Sequence, residues 1–185
     1  MRARGEPRLR LFFALWPSSA MQEQLAAAAS PVIGALRSGR PVPRENLHLT
    51  LAFLGSVSEA SLAMLEHLAH AASRSAAAPA LELMFSALEY WPRAQLVCAA
   101  VRSSPDEVAA FAEALKQRLT SHGFAPDLKS FRPHVTLARQ VTHRPVERTL
   151  PQVRWSFREF ALIESRSSPG GSLYSVRASW PLYSA

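Results

Sequence analysis

A lone cysteine, Cys98, excludes an intrachain disulfide and any thiolate metal cluster. It lies in an apolar run at 96–101 with no basic neighbour to lower its pKa. Cys98 therefore reads as a small core residue rather than a nucleophile, and a reducing compartment fits. No zinc-type spacing of histidine and cysteine occurs. No apolar stretch approaches the length of a membrane span, and the run at 11–16 is too short for a signal-peptide core. A cytoplasmic protein without a membrane partner, acting as a monomer, is the expectation. Lysine is scarce as well: of 21 basic residues only Lys116 and Lys129 are not arginine, and 14 acids leave a net charge of +7. Arginine presents a planar fork suited to phosphate, so the bias favours a phosphorylated or polyanionic partner. An Ala- and Arg-rich composition without functional meaning explains it equally well.

What is present is one sizeable core. At 185 residues and 48% apolar content, the chain suits a single domain of one or two lobes. Residues 10–16 read as a strand closed by Pro17. Ser18 or Ser19 caps a helix through Met21, Leu25 and Ala29, which Pro31 interrupts or kinks. A basic loop spans 37–45, and a strand follows at 46–54. Ser58 caps a helix carrying Leu62, Leu65 and Leu68. Strands are expected from 81 towards 90 and at 95–101. Ser103, Ser104 and Pro105 start a helix that ends near His122 and Gly123. Further strands are expected at 131–139 and 157–164, and at 173–180 after a hairpin turn at 168–172. Residues 141–152, polar and with two prolines, are expected to hold at most a short helix.

Two stretches carry chemistry. Asn46-Leu47-His48-Leu49-Thr50-Leu51 and Pro133-His134-Val135-Thr136-Leu137 each place a histidine and a threonine two residues apart on a strand, hence on one face. The flanking Leu47, Leu49 and Leu51 go to the other face. Each pair ends the same unit of strand, helix and strand, so the chain reads as an internal repeat of about 10–94 and 95–183. Two such halves facing each other put the two pairs on opposite walls of one cleft. Paired histidines suit displacement at phosphorus: one takes a proton from the attacking oxygen while the other gives one to the leaving oxygen. The threonine hydroxyls suit the non-bridging oxygens. No metal or other cofactor is needed if these donors and nearby arginines carry the charge. His67, His70, His122 and His143 read as solvated residues on helices and loops.

The two tetrapeptides, His48-Leu49-Thr50-Leu51 and His134-Val135-Thr136-Leu137, resemble the paired HxTx motifs of the 2H phosphoesterase superfamily. Residues 10–14, 45–55, 133–139 and the closing Trp180-Pro181-Leu182 extend the resemblance to its bacterial RNA 2′,3′-cyclic phosphodiesterases, the LigT-like proteins formerly called 2′-5′ RNA ligases. The resemblance runs from about residue 8 to 183. It implies one α+β domain over 1–185, two-lobed and pseudo-symmetric, with antiparallel sheets lining a central cleft and helices outside. It implies metal-independent hydrolysis of a terminal 2′,3′-cyclic phosphate on RNA to a 2′-phosphate. His48 would then be the proton donor, His134 the acceptor, and Thr50 and Thr136 the phosphate ligands. The reverse reaction would make a 2′-5′ linkage.

Arg132 and Arg139 are candidates for backbone phosphate contacts. Arg10, Phe12, Ala14 and Trp16 share one face of the first strand, and on the cleft side Phe12 could stack on the terminal base. Two rivals stand beside the main reading. One is a phosphodiesterase acting on a small cyclic nucleotide, such as ADP-ribose 1″,2″-cyclic phosphate, or on 2′-5′ oligoadenylate. The other is an RNA-binding module without catalysis. A longer basic track beyond the cleft would favour RNA, and the sequence shows only dispersed arginines.

Overall fold

The computed structural model describes residues 6–76, 80–101, 106–127, 129–169 and 171–182. The Ser103-Ser104-Pro105 helix start and residue 170 of the hairpin turn fall outside them. In chain order the elements are β1 (Arg8–Leu15), α1 (Ser19–Gly34), β2 (Arg40–Pro41), β3 (Leu49–Ser58), α2 (Leu62–Arg74), β4 (Leu81–Trp91), β5 (Leu96–Val101), α3 (Asp106–Ser121), β6 (His134–Arg139), β7 (Thr149–Phe157), β8 (Glu159–Ser168) and β9 (Gly171–Pro181). Short 3-10 turns precede β3 (Arg44–Asn46) and α2 (Glu59–Ser61).

Local chemistry sets most of these bounds. Ser18 Oγ accepts from the Met21 amide and starts α1. Pro31 does not break this helix. It lies on the exposed side, while Gln22, Leu25, Ala29 and Val32 keep a continuous buried stripe at helical spacing. The expected loop at 37–45 holds β2, which pairs with β6. The strand expected at 46–54 begins at Leu49, so His48 stands just outside it, and the strand expected from 131 begins only at His134.

All strands join one antiparallel sheet in the order β7-β4-β5-β6-β3-β1-β8-β9, with β2 attached to β6. The motif strands β3 and β6 are central neighbours, joined through the pair Leu49 and Val135. The two lobes meet there, so the cleft is lined by one continuous sheet rather than two. The lobes are also not the two halves of the chain. β4, from the first half, pairs with β5 and β7, while β8 and β9, from the second, extend the sheet beyond β1.

One face of the sheet packs on the helices. Leu11, Phe13, Leu47, Leu49, Leu51, Val135, Leu137 and Trp155 belong to this core. Trp155 Nε1 donates to the Met21 carbonyl at 3.0 Å, tying β7 to α1. The other face carries a smaller cluster of Phe12, Ala14, Ala161 and Ile163, flanked by Trp16, Phe53 and Tyr174. Two irregularities in the β1–β3 register shift the alternation of β3, so that Phe53 joins Thr50 on this second face. Gly55, at φ +69°, supplies the left-handed residue beside one of them.

Candidate active site

Each motif histidine is held in the same way. His48 Nδ1 lies 2.7 Å from the Asn46 carbonyl, and His134 Nδ1 lies 2.7 Å from the Arg132 carbonyl. A carbonyl only accepts, so Nδ1 carries the hydrogen in both rings. The neutral imidazoles therefore present Nε2 with a free lone pair. This repeat of one geometry across the β3–β6 pair is the central feature of the site.

The helix of each unit clamps the chain just before its histidine. On α1, Gln22 is 5% exposed and its Nε2 donates to the carbonyls of Glu45 and Leu47 at 3.0 and 3.2 Å. On α3, Lys116 Nζ donates to the Lys129 carbonyl at 2.9 Å, and Glu113 Oε1 accepts from the Phe131 amide at 3.0 Å. Replacing Gln22 by leucine keeps the bulk and removes the donor. The buried Leu47 carbonyl then loses its side-chain partner, so Gln22→Leu should lower stability by about 1–3 kcal/mol. A urea melt of the variant checks this, and an unchanged midpoint contradicts the clamp.

The surroundings of the two histidines differ. His48 lies among aromatic rings: Phe12 at 4.9 Å, Tyr174 edge-on at 5.1 Å and Trp16 stacked at 5.3 Å between centroids. Burial in this setting pushes the His48 pKa down to about 4. Its Asn46 hydrogen bond opposes the shift, and the charges of Arg139 and His134 add to it. Burial also lowers the His134 pKa, against the hydrogen bond to Arg132 and the charge of Glu89; Arg132 and Arg139 lower it further. Trp91 packs on His134 at 4.4 Å, Glu89 accepts from Trp91 Nε1 at 2.8 Å, and Arg132 pairs with Glu89 at 2.8 Å. His134 thus has a carboxylate nearby, and His48 an apolar cage.

Thr50 and Thr136 occupy matching places on β3 and β6, opposite Ala14 and Cys98 respectively. Cys98 is hydrogen-bonded to the Thr136 side chain, and burial pushes its thiol up to about 12, which suits a packing role. Arg139 is exposed and its charge is felt at both imidazoles, whereas the Arg132 guanidinium is engaged by Glu89 and stacked over Trp91 at 5.4 Å. Phe12 does face the cleft, but it is 3% exposed beneath His48, Phe53 and Tyr174, leaving no ring face for a base. Its contacts make it a support for His48.

Trp16, Tyr174, Trp91, Glu89 and Gln22 were not singled out from the sequence as parts of a site. Two of them left signals. Trp16 shares the β1 face of Phe12, and Gln22 is a polar residue on the buried stripe of α1. Tyr174 is brought in only by the β8–β9 hairpin, which Asn46 anchors by donating to the Ser172 carbonyl at 3.0 Å.

The chain resembles known proteins over most of its length. The family model of the 2′-5′ RNA ligase superfamily matches residues 17–169. An RNA 2′,3′-cyclic phosphodiesterase of Escherichia coli is 31% identical over 96% of this chain and 98% of its own. One from Thermus thermophilus is 31% identical over 91% and 87%. The crystal structure of E. coli LigT complexed with 3′-AMP superposes with a TM-score of 0.84 at 28% identity, covering 95% of this chain and 99% of that one.

Proposed function

The chain belongs to the 2′-5′ RNA ligase superfamily, and we propose that it is an RNA 2′,3′-cyclic phosphodiesterase whose acid and base are His48 and His134. The observation that carries the assignment is the matched pair of imidazoles, each fixed through Nδ1 to a carbonyl with Nε2 left free.

With a terminal cyclic phosphate between the rings, His134 Nε2 takes a proton from water as the water oxygen attacks phosphorus. His48 protonates the departing 3′-oxygen through Nε2, and a 2′-phosphate remains. Thr50 and Thr136 donate to the non-bridging oxygens, and the charge of Arg139 offsets what builds there. Run in the same direction with a 5′-hydroxyl in place of water as the nucleophile, the steps break the same bond to the 3′-oxygen and give a 2′-5′ linkage. No metal enters this scheme. Arg132 and Arg139 supply the positive charge near the histidines. One chain supplies both histidines, so a monomer suffices. No helix among the described residues is long and apolar enough to cross a membrane.

His48 is the harder ring to protonate in the free protein, so the donor role depends on the substrate. A bound phosphate anion favours imidazolium and raises both pKa values. The profile of kcat/KM reports the free enzyme and that of kcat the complex. Because both free histidines titrate below 6.5, kcat/KM should peak on the acid side of pH 6.5, and the kcat optimum should lie higher. A kcat/KM still rising beyond pH 7 contradicts a neutral, depressed pair.

The direct test is an oligonucleotide ending in 2′,3′-cyclic phosphate, incubated with excess chelator. The expected product carries a 2′-phosphate. A 3′-phosphate, or loss of turnover with the chelator, overturns the mechanism.

A further inference from the structure

Three of the arginines that look dispersed in the sequence, Arg132, Arg144 and Arg148, line one cavity. The cavity, of about 320 Å³, is also lined by Glu89, Trp91 and Glu147 among others. That volume is at the small end of ligand sites and suits one nucleotide-sized group. It adjoins the histidine through Trp91, whose ring lies 4.4 Å from that of His134.

The cavity wall is built into the fold. The segment carrying Arg144 and Arg148 is tied to β4 at two points. Tyr90 Oη donates to the Val141 carbonyl at 3.1 Å, and the Leu88 amide donates to the Arg148 carbonyl at 2.9 Å. Both acids of the cavity are engaged. Glu89 takes Arg132 and the Trp91 indole. Glu147 Oε1 accepts from the Arg148 and Thr149 amides and the Thr149 hydroxyl. Among the described residues, neither Arg144 nor Arg148 has a carboxylate in ion-pair contact. Two exposed guanidiniums in the cavity walled by the indole that packs on His134 are suited to a second phosphate of the same strand.

We propose that this cavity is a subsite for the phosphodiester one nucleotide upstream of the terminal cyclic phosphate, bound by Arg144 and Arg148. The inference rests on the phosphodiesterase reading. It makes the preferred substrate a strand of at least two nucleotides rather than a mononucleoside cyclic phosphate.

The test compares a mononucleoside 2′,3′-cyclic phosphate with a dinucleotide ending in the same group. The wild type should favour the dinucleotide by about tenfold or more in kcat/KM, the scale of charge-assisted hydrogen bonds. The double variant Arg144→Gln/Arg148→Gln should lose that preference and keep its rate on the mononucleoside. The slope of log kcat/KM against log salt for the dinucleotide should also become shallower, by about 0.7 for each phosphate that is no longer neutralised. Arg144→Lys/Arg148→Lys should recover part of the preference. An equal loss on both substrates, or a wild type with no preference, overturns the subsite. If the wild type hydrolyses neither substrate, it is the phosphodiesterase reading that falls. Fluorescence anisotropy of a labelled oligonucleotide ending in 2′-phosphate then still reads the cavity. Weaker binding by the Gln double variant supports the subsite, and unchanged binding overturns it.

Discussion

His48→Ala and His134→Ala should each reduce kcat on a 2′,3′-cyclic phosphate end by about 10²–10⁴-fold, the usual contribution of a positioned acid or base. Both rings are pinned through Nδ1, so Nε2 is the atom available for proton transfer in each. The two act in one displacement, so the double variant should be little worse than either single one. Leaving-group chemistry separates the roles. A terminal 2′,3′-cyclic phosphate with sulfur in place of the bridging 3′-oxygen expels a thiolate that needs little protonation. On it His48→Ala should regain most of its rate, and His134→Ala should not. Rescue of the His134 variant instead would reverse the assigned roles. Full activity in either alanine variant would remove the pair from the mechanism.

Thr50→Val and Thr136→Val should each lower kcat by about 10²–10³-fold, as loss of one donor to a charged transition state does. Valine keeps the branched shape that a strand favours, so the change is confined to the hydroxyl. If the threonines act mainly as charge builds on the non-bridging oxygens, kcat falls with little change in KM. A rise in KM alone would make them ground-state anchors. The two variants should differ in stability. Thr136 shares a hydrogen bond with Cys98, whereas Thr50 faces the methyl group of Ala14. A urea melt should therefore show the larger shift for Thr136→Val.

The motif strands were legible because their alternation is strong. Leu47, Leu49 and Leu51 all reach the core, while His48 and Thr50 remain on the cleft side. β7 was not legible. Pro145 and Pro151 make its stretch look like loop, but β7 is an edge strand that pairs only with β4, where a proline costs little. Its buried Val153, Trp155 and Phe157 show the strand period, and Leu150 falls out of phase across the register shift between β4 and β7. The break at Arg158 likewise divides what reads as one strand at 157–164. In the site, local spacing revealed both histidines and both threonines. The cage around His48 was only half visible, because Trp16 sits on the same strand face as Phe12 but Tyr174 arrives from 126 residues beyond His48 through tertiary pairing. Glu89 and Trp91, which flank His134, come from β4 and carry no pattern in the sequence that marks them.

The exchange of β4 against β8 and β9 has a consequence for how the molecule comes apart. A chain severed in the turn at 92–95 gives two fragments, and neither can complete its own sheet. The first leaves the β1 edge bare and carries β4 without a neighbour; the second holds β7 and β5 with the strand between them missing. The lobes are interlocked rather than merely adjacent, which favours unfolding in a single cooperative transition. Hydrolysis from such fragments would have to be reconstituted by their mutual association, rising with the concentration of both.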